Sequence, residues 1–141
     1  MRILVSACLL GLDTRYDGKN ARSEAVLRLL EGHEAVPVCP EQLGGLPTPR
    51  PPCELAGGRV LDIDGQDRTA AFERGAALAL ETYRLCRCDA AILKARSPSC
   101  GKGQVYDGRF SGTTVPGNGV LAERLLKAGI AVYTENELER L

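Results

Sequence analysis

Apolar positions in this chain gather into four short continuous runs, residues 3–7, 35–38, 90–93 and 130–133. They are unbroken rather than alternating, the pattern of strands buried on both faces of a parallel sheet. Between them the spacing changes to helical. Residues 22–31 carry Val26, Leu27, Leu29 and Leu30 and stop at Gly32, a suitable helix end. Residues 68–86 follow Asp67 as N-cap, and Phe72, Ala76, Ala79, Tyr83 and Cys86 step by four and three along one face. A third helix is predicted over 119–128, after Asn118 and before Gly129. A last one is predicted to begin at the capping box Thr134-Glu135-Asn136-Glu137. Strands alternating with helices predict a three-layer α/β domain with a mostly parallel sheet and right-handed crossovers.

The stretch 39–58 fits neither period. It holds five of the eight prolines (Pro40, Pro47, Pro49, Pro51 and Pro52), so a stiff, ordered, functional loop is expected there. Residues 59–66 read as a small hairpin turning at Asp64-Gly65. The 141 residues suit one domain, 1–141.

Charge and composition narrow the function. Eighteen basic residues balance eighteen acidic ones, and Trp is absent, which argues against nucleic-acid binding and a polybasic membrane anchor. The first apolar run is too short for a secretory signal, and none approaches the ~20 residues of a membrane span. A soluble cytoplasmic protein is therefore expected, in which cysteines serve metals, catalysis or the core rather than disulfides. The sequence carries no signal for an oligomeric state.

Six cysteines against a single histidine make cysteine the residue type to explain. Cys8 follows the first predicted strand and Cys39 the second, while Cys100 comes shortly after the third in Ser97-Pro98-Ser99-Cys100-Gly101. Ligands of open α/β sheets bind beyond the carboxyl ends of the strands, so these three thiols are predicted to converge. Cys86 falls on a core-facing helix stripe and reads as a buried structural thiol, with Cys88 similar. Cys53 lies in the proline loop, within reach of the site. Soft sulfur ligands select zinc, copper(I) or iron–sulfur clusters. Structural zinc wants four ligands at short paired spacings. A cluster held by three cysteines would keep one iron without a protein ligand. Nucleophilic cysteine chemistry is the competing reading. None of Cys8, Cys39 and Cys100 has an Arg after five intervening residues, as a phosphatase loop requires, and His33 sits at a helix end.

The segments SACLLG, RYDG, VPVCPEQLGGLPTPRPP, AILKARSPSCGKGQVYDGRFSG and VLAERLLKAGIAVYTENEL closely resemble the thiouracil desulfidase (TudS) family, formerly a domain of unknown function. The resemblance runs in order along nearly the whole chain. It implies a Rossmann-like α/β fold and one 4Fe–4S cluster on three cysteines, here Cys8, Cys39 and Cys100, with the fourth iron open to substrate. The implied activity is removal of sulfur from thiouracil-type bases or thiouridine nucleotides, C=S to C=O, without net redox change. Glu41, two residues after Cys39, matches the family's acid/base. Ser97 is the first choice for the catalytic serine and Ser99 the second. Some relatives carry a further C-terminal domain, which a chain ending at Leu141 is expected to lack.

The expected partner is a small thiolated pyrimidine, not a nucleic acid or a membrane. Lys94, Arg96, Lys102, Arg15 and Arg50 flank the expected site, where a nucleotide phosphate is a reasonable ligand. Tyr16 and Asp17 in a Tyr-Asp-Gly turn, and the backbone of Gly101, complete the candidate substrate contacts. Two other readings stay open on residues alone: an iron–sulfur or metal-binding module without turnover, and a protein-interaction module using the proline loop.

Overall fold

The computed structural model describes residues 1–141. In chain order the elements are β1 (Arg2–Ser6), α1 (Glu24–Leu29), β2 (Glu34–Val38), α2 (Pro40–Leu43), β3 (Cys53–Ala56), β4 (Arg59–Asp62), α3 (Thr69–Leu85), β5 (Ala90–Leu93), β6 (Gln104–Tyr106), β7 (Thr114–Pro116), α4 (Val120–Lys127) and β8 (Val132–Thr134). Two one-turn 3-10 helices, Ala7–Leu10 and Leu138–Arg140, follow β1 and β8.

The four apolar runs form one parallel sheet in the order β2-β1-β5-β8. Strand alternation sends Leu4, Ala91, Leu93 and Val132 toward Ala76, Ala79 and Leu80 of α3 and Leu121 and Leu125 of α4. Ile3, Val5 and Ile92 point the other way, onto Leu9, Val26 and Leu30. This is the expected three-layer α/β sandwich. The chain leaves β1 for β2 on one side and returns to β5 on the other, so the strand order reverses between β1 and β5. At such a reversal the connecting segments diverge to opposite faces and open a crevice at the carboxyl ends.

Four local expectations need correction. The proline stretch is only partly irregular: it contains α2, opened by Pro40 at its first turn, and β3. Proline suits a first helical turn because its missing N–H would be unpaired there anyway. The hairpin joins β3 to β4 and turns at Gly57-Gly58, whose φ angles of 55° and 80° supply the left-handed pair a tight hairpin needs. Asp64-Gly65 makes a second turn just beyond, gathered by Asp62, whose Oδ1 accepts from the amides of Asp64 and Gln66. At the chain end Glu137 does reach back to the Thr134 amide, but Thr134 ends β8 and only a 3-10 turn follows. Cys86 is not a core residue: α3 ends at Leu85, and it is Cys88 that packs on the core. The antiparallel pair β6–β7 carries no apolar run in the sequence and was not anticipated. No helix is long and apolar enough to cross a membrane.

Candidate functional site

The crevice is where the cysteines meet. Cys8 lies in the 3-10 turn after β1, Cys39 caps α2 after β2, and Cys100 lies in the turn that follows β5. With Cys53, which opens β3, they line one cavity of about 470 Å³. All six cysteines are free. Burial pushes the Cys8 thiol up to about 11, against the pull of Lys94, and the Cys100 thiol up to about 12. Burial and then the nearby Glu41 raise Cys53 to about 12. Bare thiols in this setting are poor nucleophiles. Cys86 and Cys88 lie near the opposite, amino end of the sheet, where Arg2 donates to the Cys86 carbonyl. His33 is there too, its Nδ1 2.9 Å from the Met1 amine, and takes no part in the cavity.

Glu41 stands on the first turn of α2, and both its oxygens are engaged. Arg50 Nε donates to Oε1 at 2.9 Å and Ser99 Oγ to Oε2 at 3.0 Å. The ion pair is buried, the two side chains being 4% and 12% exposed. Arg50 also donates to the carbonyls of Thr14 and Pro47 and to Thr48 Oγ1, and its Nη2 lies 3.9 Å from Cys39 Sγ. Ser99 Oγ in turn sits 3.6 Å from Cys100 Sγ. Ser97 Oγ is 3.0 Å from Ser99 Oγ and accepts the amides of Ser99 and Cys100. Ser99 thus touches Glu41 directly, while Ser97 reaches it through Ser99 and also shapes the turn. A carboxylate oxygen has two acceptor positions, so Glu41 can still take a proton from a water.

The basic residues separate into two groups. Lys94 lines the cavity and pairs with Glu135 at 2.8 Å. Arg15 and Tyr16 line it together, the guanidinium 5.6 Å from the ring centroid. Arg96 lines it, exposed and without a carboxylate partner. The rest depart from expectation. Arg50 is turned inward onto Glu41. Lys102 is drawn away from the cavity by Glu137, at 3.1 Å. Asp17 does not line the cavity and serves its own turn, accepting from the Lys19 amide and lying 3.6 Å from Arg15 Nε. Gly101 is walled in: a Cβ there would stand 2.7 Å from the Ser97 carbonyl oxygen, so its role is to let the turn close. A further wall, missed in the sequence, comes from the hairpins, with Glu54, Tyr106 and Phe110.

No three His, Cys, Asp or Glu side chains are close enough together to hold a single metal ion. Three thiols from separate loops around one cavity instead suit a group wider than an ion, and iron–sulfur clusters are such groups with cysteine ligands.

Comparison with known proteins identifies the family. The 2-thiouracil desulfurase family model matches residues 3–137. An uncharacterized protein of Bacillus subtilis (strain 168), YbbK, is 43% identical over 146 residues, covering 96% of this chain and 97% of its own. A solved structure, the [4Fe-4S]-dependent thiouracil desulfidase TudS (DUF523Vcz), superposes with a TM-score of 0.92 at 45% identity, covering 99% of this chain and 94% of that one. With its fold and nearly its full length matched, the chain belongs to the 2-thiouracil desulfurase family.

Proposed function

We propose that this protein is a 4Fe–4S-dependent desulfidase that converts the C=S of a thiouracil-type base or thiouridine nucleotide to C=O, consuming water and releasing sulfide without net redox change. The observation that carries the reading is the convergence of Cys8, Cys39 and Cys100 with the Glu41–Ser99 pair on one cavity. Those three cysteines would hold the cluster, and a thiophilic iron left open would supply Lewis acidity toward the C–S bond. Glu41 takes the proton of the attacking water, held in place by Arg50 from one side and Ser99 from the other. Ser99, supported by Ser97, passes hydrogen-bonding between Glu41 and the Cys100 side of the cavity. Arg15, Tyr16 and Lys94 contribute the substrate-facing wall. Arg96 is the cation best placed for an anionic group such as a nucleotide phosphate. The cavity size and the balanced charge favour a small thiolated pyrimidine over a nucleic acid, and six free thiols favour the reducing cytoplasm.

Anaerobic reconstitution with iron and sulfide analysis tests the cluster. About four irons per chain are expected, and Cys8→Ser, Cys39→Ser or Cys100→Ser should abolish them. An intact cluster in all three variants would overturn the ligand assignment. Glu41→Gln should keep the cluster and lose most turnover of 4-thiouracil, whereas wild-type turnover would remove Glu41 as the base. A wild-type protein that carries its cluster but leaves every thiouracil compound unchanged would be a binding module.

A further inference from the structure

The cavity contains a second carboxylate that the proposed chemistry does not use. Glu54 is the second residue of β3 and is only 8% exposed, yet it lines the cavity. It has no Lys or Arg partner, which sets it apart from Glu41. Burying a carboxylate without a cation is costly unless its oxygens are hydrogen-bonded. One oxygen is well served. The segment 107–110 lies directly against β3, and the amides of Gly108 and Phe110 both donate to Oε1, at 3.0 and 3.1 Å. Gly108 and Phe110 have φ angles of 91° and 56°, and a Cβ on Gly108 would stand 2.7 Å from the Leu55 carbonyl oxygen. Two convergent amides of this kind form a concave anion-binding nest. The structural task is complete with Oε1 alone.

Oε2 has no hydrogen-bond partner in the protein. No fully buried polar side-chain atom is left without a partner, so Oε2 keeps access to solvent, and the cavity is the opening that Glu54 lines. We infer that Glu54 Oε2 is a substrate-binding acceptor, fixed in direction by the Gly108–Phe110 nest and taking a hydrogen bond from a donor on the substrate. A bare carboxylate selects for N–H or O–H and against phosphate. The donors on a thiouracil compound are the ring N–H and, in the nucleoside, the ribose hydroxyls. This inference rests on the desulfidase reading for the identity of the ligand. It adds a specificity contact on the hairpin wall of the cavity.

Glu54→Gln is the discriminating variant. Two amide donors demand an acceptor, so the Gln carbonyl replaces Oε1 and an NH2 donor replaces Oε2. The nest survives and the acceptor is lost. The melting temperature of Glu54→Gln should match that of the wild type, while Glu54→Ala, which empties the nest, should melt lower. A Gln variant melting as low as Ala would make Oε2 structural and overturn the assignment. With 4-thiouracil and 4-thiouridine as substrates, Glu54→Gln should raise KM roughly tenfold or more with kcat little changed, the mark of lost uniform binding. A rise for both compounds assigns the ring N–H, and a rise for the nucleoside alone assigns the ribose. Unchanged KM for both overturns the inference. Uracil and uridine keep the same donors, so calorimetric titration with them reads binding even if the protein turns nothing over. Weaker binding by Glu54→Gln supports the inference. Equal binding, or none by either protein, overturns it.

Discussion

Arg50 is the residue on which the Glu41 side of the site depends. Its guanidinium meets a carboxylate, two carbonyls and a hydroxyl, so nearly every donor of its fork is used. A lysine has one head and cannot reproduce this set, so charge conservation does not make the change conservative. Removing the cation leaves Glu41 buried against Ser99 with an unpaired charge, and that kind of loss costs about 3–5 kcal/mol. Arg50→Met should therefore lower the urea midpoint by an amount equivalent to about 3 kcal/mol. Arg50→Lys should recover part of the stability but not the turnover, because Glu41 loses its fixed direction. Equilibrium unfolding of the two variants beside the wild type checks the first statement and a 4-thiouracil assay the second. In the sequence, Arg50 was one of five basic residues suited to a phosphate. Nothing local distinguishes a guanidinium facing a ligand from one facing a carboxylate nine residues away.

At the scale of elements, α2 is short and makes few internal hydrogen bonds, yet it carries Glu41 and is capped by Cys39. Its position comes from α3. Gly44, at the end of α2, and Gly75, within α3, let the two backbones touch: a Cβ on Gly75 would stand 1.8 Å from the Pro40 carbonyl oxygen, and one on Gly44 2.0 Å from that of Ala71. Backbone cannot yield as a flexible side chain does. Gly75→Ala, favourable for helix propensity alone, should thus destabilise by about 3 kcal/mol or more and displace Cys39 and Glu41 together. Chemical denaturation gives the stability, and iron content after anaerobic reconstitution reports the displacement; a Gly75→Ala protein as stable as the wild type would refute the close contact. In the sequence α3 is legible because it is long enough to show a helical period, and the four sheet strands because they are unbroken apolar runs. The same strand ends made Cys8, Cys39 and Cys100 legible, since a thiol just past an apolar run in a parallel sheet has one edge to reach. The four-residue α2 has no period to read, and β3, β4, β6 and β7 carry no unbroken apolar run. The wall they build, with Glu54 and Phe110, was therefore invisible until the hairpins were placed.

At the scale of the whole molecule, the cavity belongs to no single element. Its walls come from the ends of β2, β1 and β5, from α2, and from the β3–β4 and β6–β7 hairpins. Cys8, Cys39 and Cys100 stand far apart along the chain, so a group bound to all three ties distant segments together in the folded state. The unfolded chain does not present the three thiols at once. Such a ligand stabilises the native state in proportion to the logarithm of its concentration over its dissociation constant, about 2.7 kcal/mol at a hundredfold excess. For a domain of this length the gain corresponds to a rise in melting temperature of roughly 5 °C or more. Anaerobic thermal melts before and after reconstitution should show that rise in the wild type and in Cys86→Ser, whose thiol lies at the far end of the sheet. They should show none in Cys100→Ser, where one of the three ties is gone. An equal rise in Cys100→Ser would mean that the iron is bound elsewhere, and a rise lost in Cys86→Ser would move the site to the wrong end of the sheet.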